Sequence, residues 1–147
     1  MYADEFLTLA ATLCKSKDAA CVRTAVSRAY YAAFLTARDW LSSRRVDVEK
    51  LGVAHSQVVN ALLASGEPDL EDAGFLLNGL RTLRNDADYQ IDTLTHEAPK
   101  TAVQSVSDAQ EVISTLNALR SKTDTELAGA IVQMRQAARD AGQPRRH

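Results

Sequence analysis

An all-helical fold, an up-and-down bundle of five to six helices, follows from three features of the sequence. Apolar residues recur at steps of three and four along most of the chain. Glycine (6) and proline (3) are scarce, too few for the frequent turns that a strand-rich fold needs. The 46% hydrophobic fraction is mostly aliphatic and small, with aromatics only 5%, which suits alanine and leucine layers between closely packed helices.

Each element can be placed in turn. A first helix is expected from about Ala3 to Lys15, with Phe6, Leu7, Leu9, Ala10 and Leu13 at helical spacing. Asp4 and Glu5 lie in its first turn, where the helix dipole favours acids. Asp18 suits the N-cap of a second helix, in which Val22, Val26, Tyr30, Ala33, Ala37, Trp40 and Leu41 share one side as far as about Ser42. Residues Ser43 to Ala54 are charged and aperiodic and read as a surface connection. A third helix carries Val58, Val59, Leu62 and Leu63 and stops at Gly66-Glu67-Pro68. The fourth, from about Asp69 to Tyr89, sets Leu70, Ala73, Leu76, Leu77, Leu80, Leu83 and Ala87 on one arc. The fifth starts at Pro99, a favoured first-turn residue, and reaches Arg120. The sixth runs from Asp124 to about Ala141 before Gly142. Residues 1–142 thus read as a single domain and 143–147 as a flexible tail.

The bulk numbers narrow the function. A chain of 147 residues buries a core without disulfide or metal support. A net charge of −2 and a pI near 5.9 leave no global positive field for duplex nucleic acid, so any anion site has to be a local basic groove. Cys14 and Cys21 form neither a redox pair nor a zinc-ligand spacing and read as reduced helix residues. An acidic start, with no apolar run near the roughly 20 residues that span a bilayer, predicts a cytoplasmic protein without a membrane partner. No phosphate-binding glycine loop, HExxH or GxSxG is present. The histidines at 55, 96 and 147 make no ligand spacing, so neither cofactor nor metal is expected. His55 beside Ser56 reads as a helix-start residue.

The amphipathic pattern breaks in two places. On the fourth helix Arg84 falls roughly 40° from Leu80, inside the apolar arc, while Arg81 and Asp88 fall at its edge. A buried guanidinium needs a carboxylate or several acceptors, and Asp88 at i+4 is the nearest candidate. Arg81, Arg84, Asn85 and Asp88 therefore form a polar notch, serving either a ligand or only the stability of the helix. On the second helix Ser27, Tyr31, Phe34 and Arg38 make a second stripe. It suits packing against another helix of this chain or of a symmetric partner, or contact with a ligand.

Two stretches, Ser27-Arg28-Ala29-Tyr30-Tyr31-Ala32-Ala33-Phe34 and Leu83-Arg84-Asn85-Asp86-Ala87-Asp88-Tyr89, resemble the signatures of the HEPN family, in an uncharacterised branch related to the toxin partners of minimal nucleotidyltransferases. The resemblance spans about Asp4 to Arg120, including the helix order. It implies a HEPN-like helical bundle, a homodimer, and a metal-independent ribonuclease site in the dimer cleft, with Arg84 matching the motif arginine. That motif places a histidine five to seven positions later, where this chain has Tyr89, Gln90 and Ile91; His96 lies too far on. The departure bears on turnover, because phosphodiester cleavage needs a group that titrates near neutrality. An ordinary carboxyl near 4 is a poor donor at pH 7, and a tyrosine near 10 has the opposite defect.

On this reading Arg84, Asp88 and Tyr89 are the candidate catalytic residues, and Arg81, Asn85, Tyr31, Arg28 and Arg38 the candidate substrate-binding residues. The resemblance further implies a minimal nucleotidyltransferase antitoxin that would modify Tyr89; the plain alternative is that Tyr89 is a packing residue at a helix end. Two functions follow: an effector of a toxin-antitoxin or defence system that binds RNA or a nucleotide, or a non-catalytic homodimeric interaction module.

Overall fold

The computed structural model describes residues 3–49, 53–89 and 98–143. Within them run six helices: α1 (Ala3–Leu13), α2 (Ala19–Ser43), α3 (Ala54–Ala64), α4 (Pro68–Tyr89), α5 (Pro99–Leu119) and α6 (Ala128–Gly142). No strand occurs among the described residues, so the expected helical bundle is what forms. His96, His147, Gln90, Ile91 and tail residues 144–147 lie outside the described residues.

The 25-residue α2, about 37 Å long, is the axis of the bundle and packs against α1, α3, α4 and α5, while α6 docks on α3. Asp18 starts it as expected, accepting from the Ala20 and Cys21 N–H groups at 2.9 and 3.2 Å. Ala25, Ala29, Ala32, Ala33 and Ala37 are buried along its length, and their small side chains let neighbouring helices approach closely. Trp40, Leu41, Leu62, Leu70, Leu77, Leu116 and Met134 fill the main core between them. A smaller apolar cluster of Val22, Ala25, Val26, Ala87 and Ala102 sits apart, where the start of α2 meets the end of α4 and the start of α5. No helix is long and apolar enough to cross a membrane.

Two helix boundaries and one connection differ from expectation. α1 stops at Leu13 rather than Lys15 because its last turn tightens, Lys15 and Ser16 donating to Thr12 and Leu13 three residues back. α6 begins at Ala128 rather than Asp124. The Thr123 hydroxyl instead accepts the Glu126 N–H at 3.2 Å, and the Asp124 carboxylate turns to Arg44 at 2.8 Å. The third correction concerns the segment after α2, which is not simply a surface connection. Arg44 is only 7% exposed, because its guanidinium plugs the end of α5. It donates to the Leu119 and Arg120 carbonyls at 3.0 and 3.3 Å and lies 5.3 Å from the Trp40 ring centre.

α2 ends in a Schellman motif: Val46 N–H bonds the Leu41 carbonyl and Arg45 N–H bonds that of Ser42. Buried Val46 supplies the accompanying apolar contact. Arg45 occupies the left-handed position at φ 58°, which glycine fills at lower cost.

Two stability changes follow, both readable by urea denaturation. Arg44→Met keeps the bulk but removes the guanidinium donor from the Leu119 and Arg120 carbonyls and the partner of Asp124, and should cost about 2–3 kcal/mol. Arg45→Gly should stabilise the protein by up to about 1 kcal/mol, since the strain it relieves exceeds the added freedom of the unfolded chain.

Candidate functional site

α2 and α4 run antiparallel, so residues spaced by about a turn on one meet residues spaced by about a turn on the other. Arg23 Nη1 donates to the Ala87 carbonyl at 2.9 Å, Ser27 Oγ to Asp88 at 3.5 Å, and Tyr31 OH accepts from Arg84 Nη2 at 2.6 Å. This polar seam divides the two apolar clusters. On α2 the small cluster ends at Val26 and the main one begins at Ala29, while on α4 Leu80 belongs to the main cluster and Ala87 to the small one.

Arg84 is the hub of the seam. Its Nε lies 2.9 Å from Asp88 Oδ2 and its side chain is 17% exposed, against 31% for the aspartate. Nε has no well-aligned acceptor, so this contact is a Coulombic ion pair rather than a linear hydrogen bond. Nη1 donates to Asn85 Oδ1 at 3.0 Å, and the guanidinium carbon stands 5.0 and 5.9 Å from the Tyr31 and Tyr89 ring centres. The inward direction read from the helical arc and the i+4 pairing with Asp88 are both present. Tyr89 itself is 75% exposed at the end of α4.

α3 brings a group that the sequence did not single out. The His55 ring stacks on Phe34 with centres 4.4 Å apart, and its Nδ1 is hydrogen-bonded to the Tyr30 hydroxyl. Next to it, Ser56 Oγ accepts from Arg81 Nη1 at 3.4 Å. His55 does open a helix, as expected, but it also packs into the site. Tyr30 is wholly buried, a core residue whose hydroxyl nevertheless reaches the site. No local pattern flags His55, because its importance comes from Phe34 and Tyr30, more than twenty residues earlier in the chain. Ser27 and Phe34 of the second α2 stripe are buried within the chain itself.

A run of five rings results: Phe6 lies 6.2 Å from Tyr31, which meets Tyr30 edge-on at 5.5 Å, and Tyr30, Phe34 and His55 stack together. Arginines border this run, with Arg28 5.3 Å from the Phe6 ring centre, Arg38 5.7 Å from that of Phe34, and Arg84 beside Tyr31. A groove of about 300 Å³ opens at one end, lined by Arg23, Thr24, Ser27, Arg28 and Asp88 among others. At the other end a groove of about 440 Å³ is lined by Arg38, Asp39, Ser42, Asp47 and Val48. All the sequence-predicted site residues therefore fall on one stretch of surface, with Tyr89 and Arg28 at its edges. Among the described residues no group of His, Cys, Asp or Glu is placed to hold a metal ion.

Burial pushes the Tyr30 hydroxyl well above its ordinary pKa, and the nearby Arg81 and Arg84 charges only partly offset this, so it stays protonated. His55 is pushed below its ordinary value, first by burial and then by the charges of Arg81, Arg84 and Arg38. Because the unfolded histidine holds its proton up to about pH 6.5 and the folded one releases it lower, this group lowers stability as pH falls through that range.

An NMR titration should therefore find His55 protonating below pH 6.5, and Arg81→Ala should raise its midpoint. A midpoint unmoved by that change would mean that burial and the remaining Arg84 and Arg38 charges set it. Tyr31→Phe, which removes the acceptor of Arg84 Nη2, should cost about 1–2 kcal/mol in thermal or urea unfolding. In comparisons with known proteins, no family model, no curated protein and no solved structure matches this chain.

Proposed function

We propose that the chain is a HEPN-like effector of a toxin-antitoxin or defence system that binds RNA or a nucleotide at an arginine-centred site, as a homodimer. The observation that carries this reading is the arginine-bordered run of rings. In a chain of net charge −2, Arg28, Arg38 and Arg81 stand on this face with no carboxylate partner among the described residues. Guanidinium groups beside aromatic faces suit phosphates and bases together. Half-exposed Tyr31, Phe6 and His55 can offer ring surface to a base while the arginines take the backbone charge.

Binding is better supported than turnover. The Arg84 nitrogens face Asp88, Asn85 and Tyr31, so this residue holds the site in shape at least as much as it faces a ligand. That same commitment favours the second reading, a non-catalytic interaction module in which the seam is structural. The nucleotidyltransferase partner, with Tyr89 as acceptor, belongs to the first reading, and the exposure of Tyr89 is compatible with it.

Labelled transfer and messenger RNA, incubated without metal, should bind the wild-type protein. Affinity should fall about tenfold for Arg81→Ala or Arg38→Ala, the loss expected for one charge-assisted contact. Cutting that disappears in Arg84→Ala, with circular dichroism showing the fold intact, would establish the enzyme; binding without cutting leaves an RNA-binding effector. Absence of both favours the interaction module. Light scattering at micromolar concentration should give the mass of a dimer.

A further inference from the structure

His55 is the imidazole of this site, and among the described residues only one of its two ring nitrogens is engaged. Its Nδ1 is taken by Tyr30, whose buried hydroxyl has no other partner among the described residues. A buried hydroxyl with a single neighbour donates to it, since otherwise its own proton would be orphaned. Tyr30 O–H therefore donates to Nδ1, and the neutral ring carries its proton on Nε2. That nitrogen makes no hydrogen bond with any described residue, nor is it among the buried polar atoms without a partner, so it meets solvent.

The surrounding charges define what could meet it. Arg38 from α2 and Arg81 from α4 have no carboxylate partner among the described residues, whereas Arg84 is balanced by Asp88. Asp39 and Asp47 line the same groove as Arg38, without an ion pair to it among the described residues. Ser56 steadies Arg81 next to the imidazole. Two uncompensated positive charges and a neutral N–H donor match a group carrying two negative charges. An internal phosphodiester carries one charge, but a terminal phosphate carries nearly two at neutral pH.

We propose that His55 contacts the ligand of this site, presenting Nε2–H to a phosphoryl oxygen, and that with Arg81 and Arg38 it selects a phosphomonoester: the phosphorylated end of an RNA or a free nucleotide. This rests on the arginine-site reading above and deepens it. One consequence is specific to histidine. Burial and the positive charges keep the free ring neutral, and an arriving dianion offsets the charges, so binding draws a proton onto His55. Nδ1–H then faces the Tyr30 oxygen, whose own proton loses its acceptor, and the uptake is fractional. Affinity contributed by His55 therefore grows as pH falls from about 8 toward 6.5.

The test uses the full chain and one oligoribonucleotide in 5′-phosphorylated and 5′-hydroxyl forms, with adenosine 5′-monophosphate alongside. Titration calorimetry at pH 7, in two buffers of different ionisation enthalpy, counts the protons taken up, and NMR follows the His55 midpoint. The phosphorylated oligonucleotide should bind at least tenfold more tightly than the hydroxyl form, with fractional proton uptake and an upward move of the His55 midpoint. His55→Gln, which keeps a side-chain N–H, should bind within a few-fold of wild type at pH 8 but take up no proton beyond that of the phosphate itself. Tight binding of the mononucleotide identifies a free nucleotide as the source, and binding of the oligonucleotide alone identifies an RNA end. Equal binding of the two oligonucleotides with an unmoved His55 overturns the proposal and leaves the arginine site standing, while no binding of any probe overturns both.

Discussion

The structure turns on one guanidinium placed where two apolar clusters meet. Arg84 spans the gap between α4 and α2 through Tyr31, and along its own helix through Asn85 and Asp88. Such a group is costly to bury alone, and every contact it makes offsets part of that cost. Its geometry fixes how far α4 slides along α2, because a shift of one turn one way would put Leu80 opposite Tyr31, and the other way would carry the guanidinium to Leu80's place in the main apolar cluster. Buried polar groups often specify arrangement more than they add stability, and in this bundle the register of the central helix pair is what Arg84 specifies.

That register decides what else can gather. With Arg84 opposite Tyr31, Arg81 falls one turn earlier, beside the start of α3, where Ser56 receives it. His55 then lies over Phe34 and against Tyr30, and the arginine charges reach it. A chain with slight negative charge overall thus gathers arginines on one face, with Asp88 paired to Arg84 and Asp39 and Asp47 in the adjoining groove beside Arg38. The electrostatics of the proposed ligand site are a by-product of packing α2, α3 and α4 around a polar seam.

The helices were largely readable in advance, because periodicity and caps are local. Asp18, Pro99 and the leucine arc of α4 each carry their meaning within a few residues. The same locality explains Arg84: its angle on one helix and an aspartate one turn later are enough to expect an inward ion pair. His55 and Arg44 were not readable, since each is defined by partners from distant segments. His55 depends on rings of α2, and Arg44 on carbonyls at the end of α5. Seen alone, His55 opens a helix and Arg44 sits in a charged run, as many solvent-facing residues do. The start of α6 was misplaced for a related reason, because Asp124 looks like a cap until its tertiary partner is known.

The lone tryptophan occupies a position with a practical meaning. Trp40 is fully buried, its indole N–H has no acceptor among the described residues, and Arg44 lies over its ring. Nine residues separate it from Tyr31 along α2, about 13 Å of helix. Its emission should be blue-shifted and should follow the closure of the α2 and α5 ends rather than events at the ring stack. Intrinsic fluorescence of this protein is thus a gauge of global unfolding, read from the joined ends of α2 and α5.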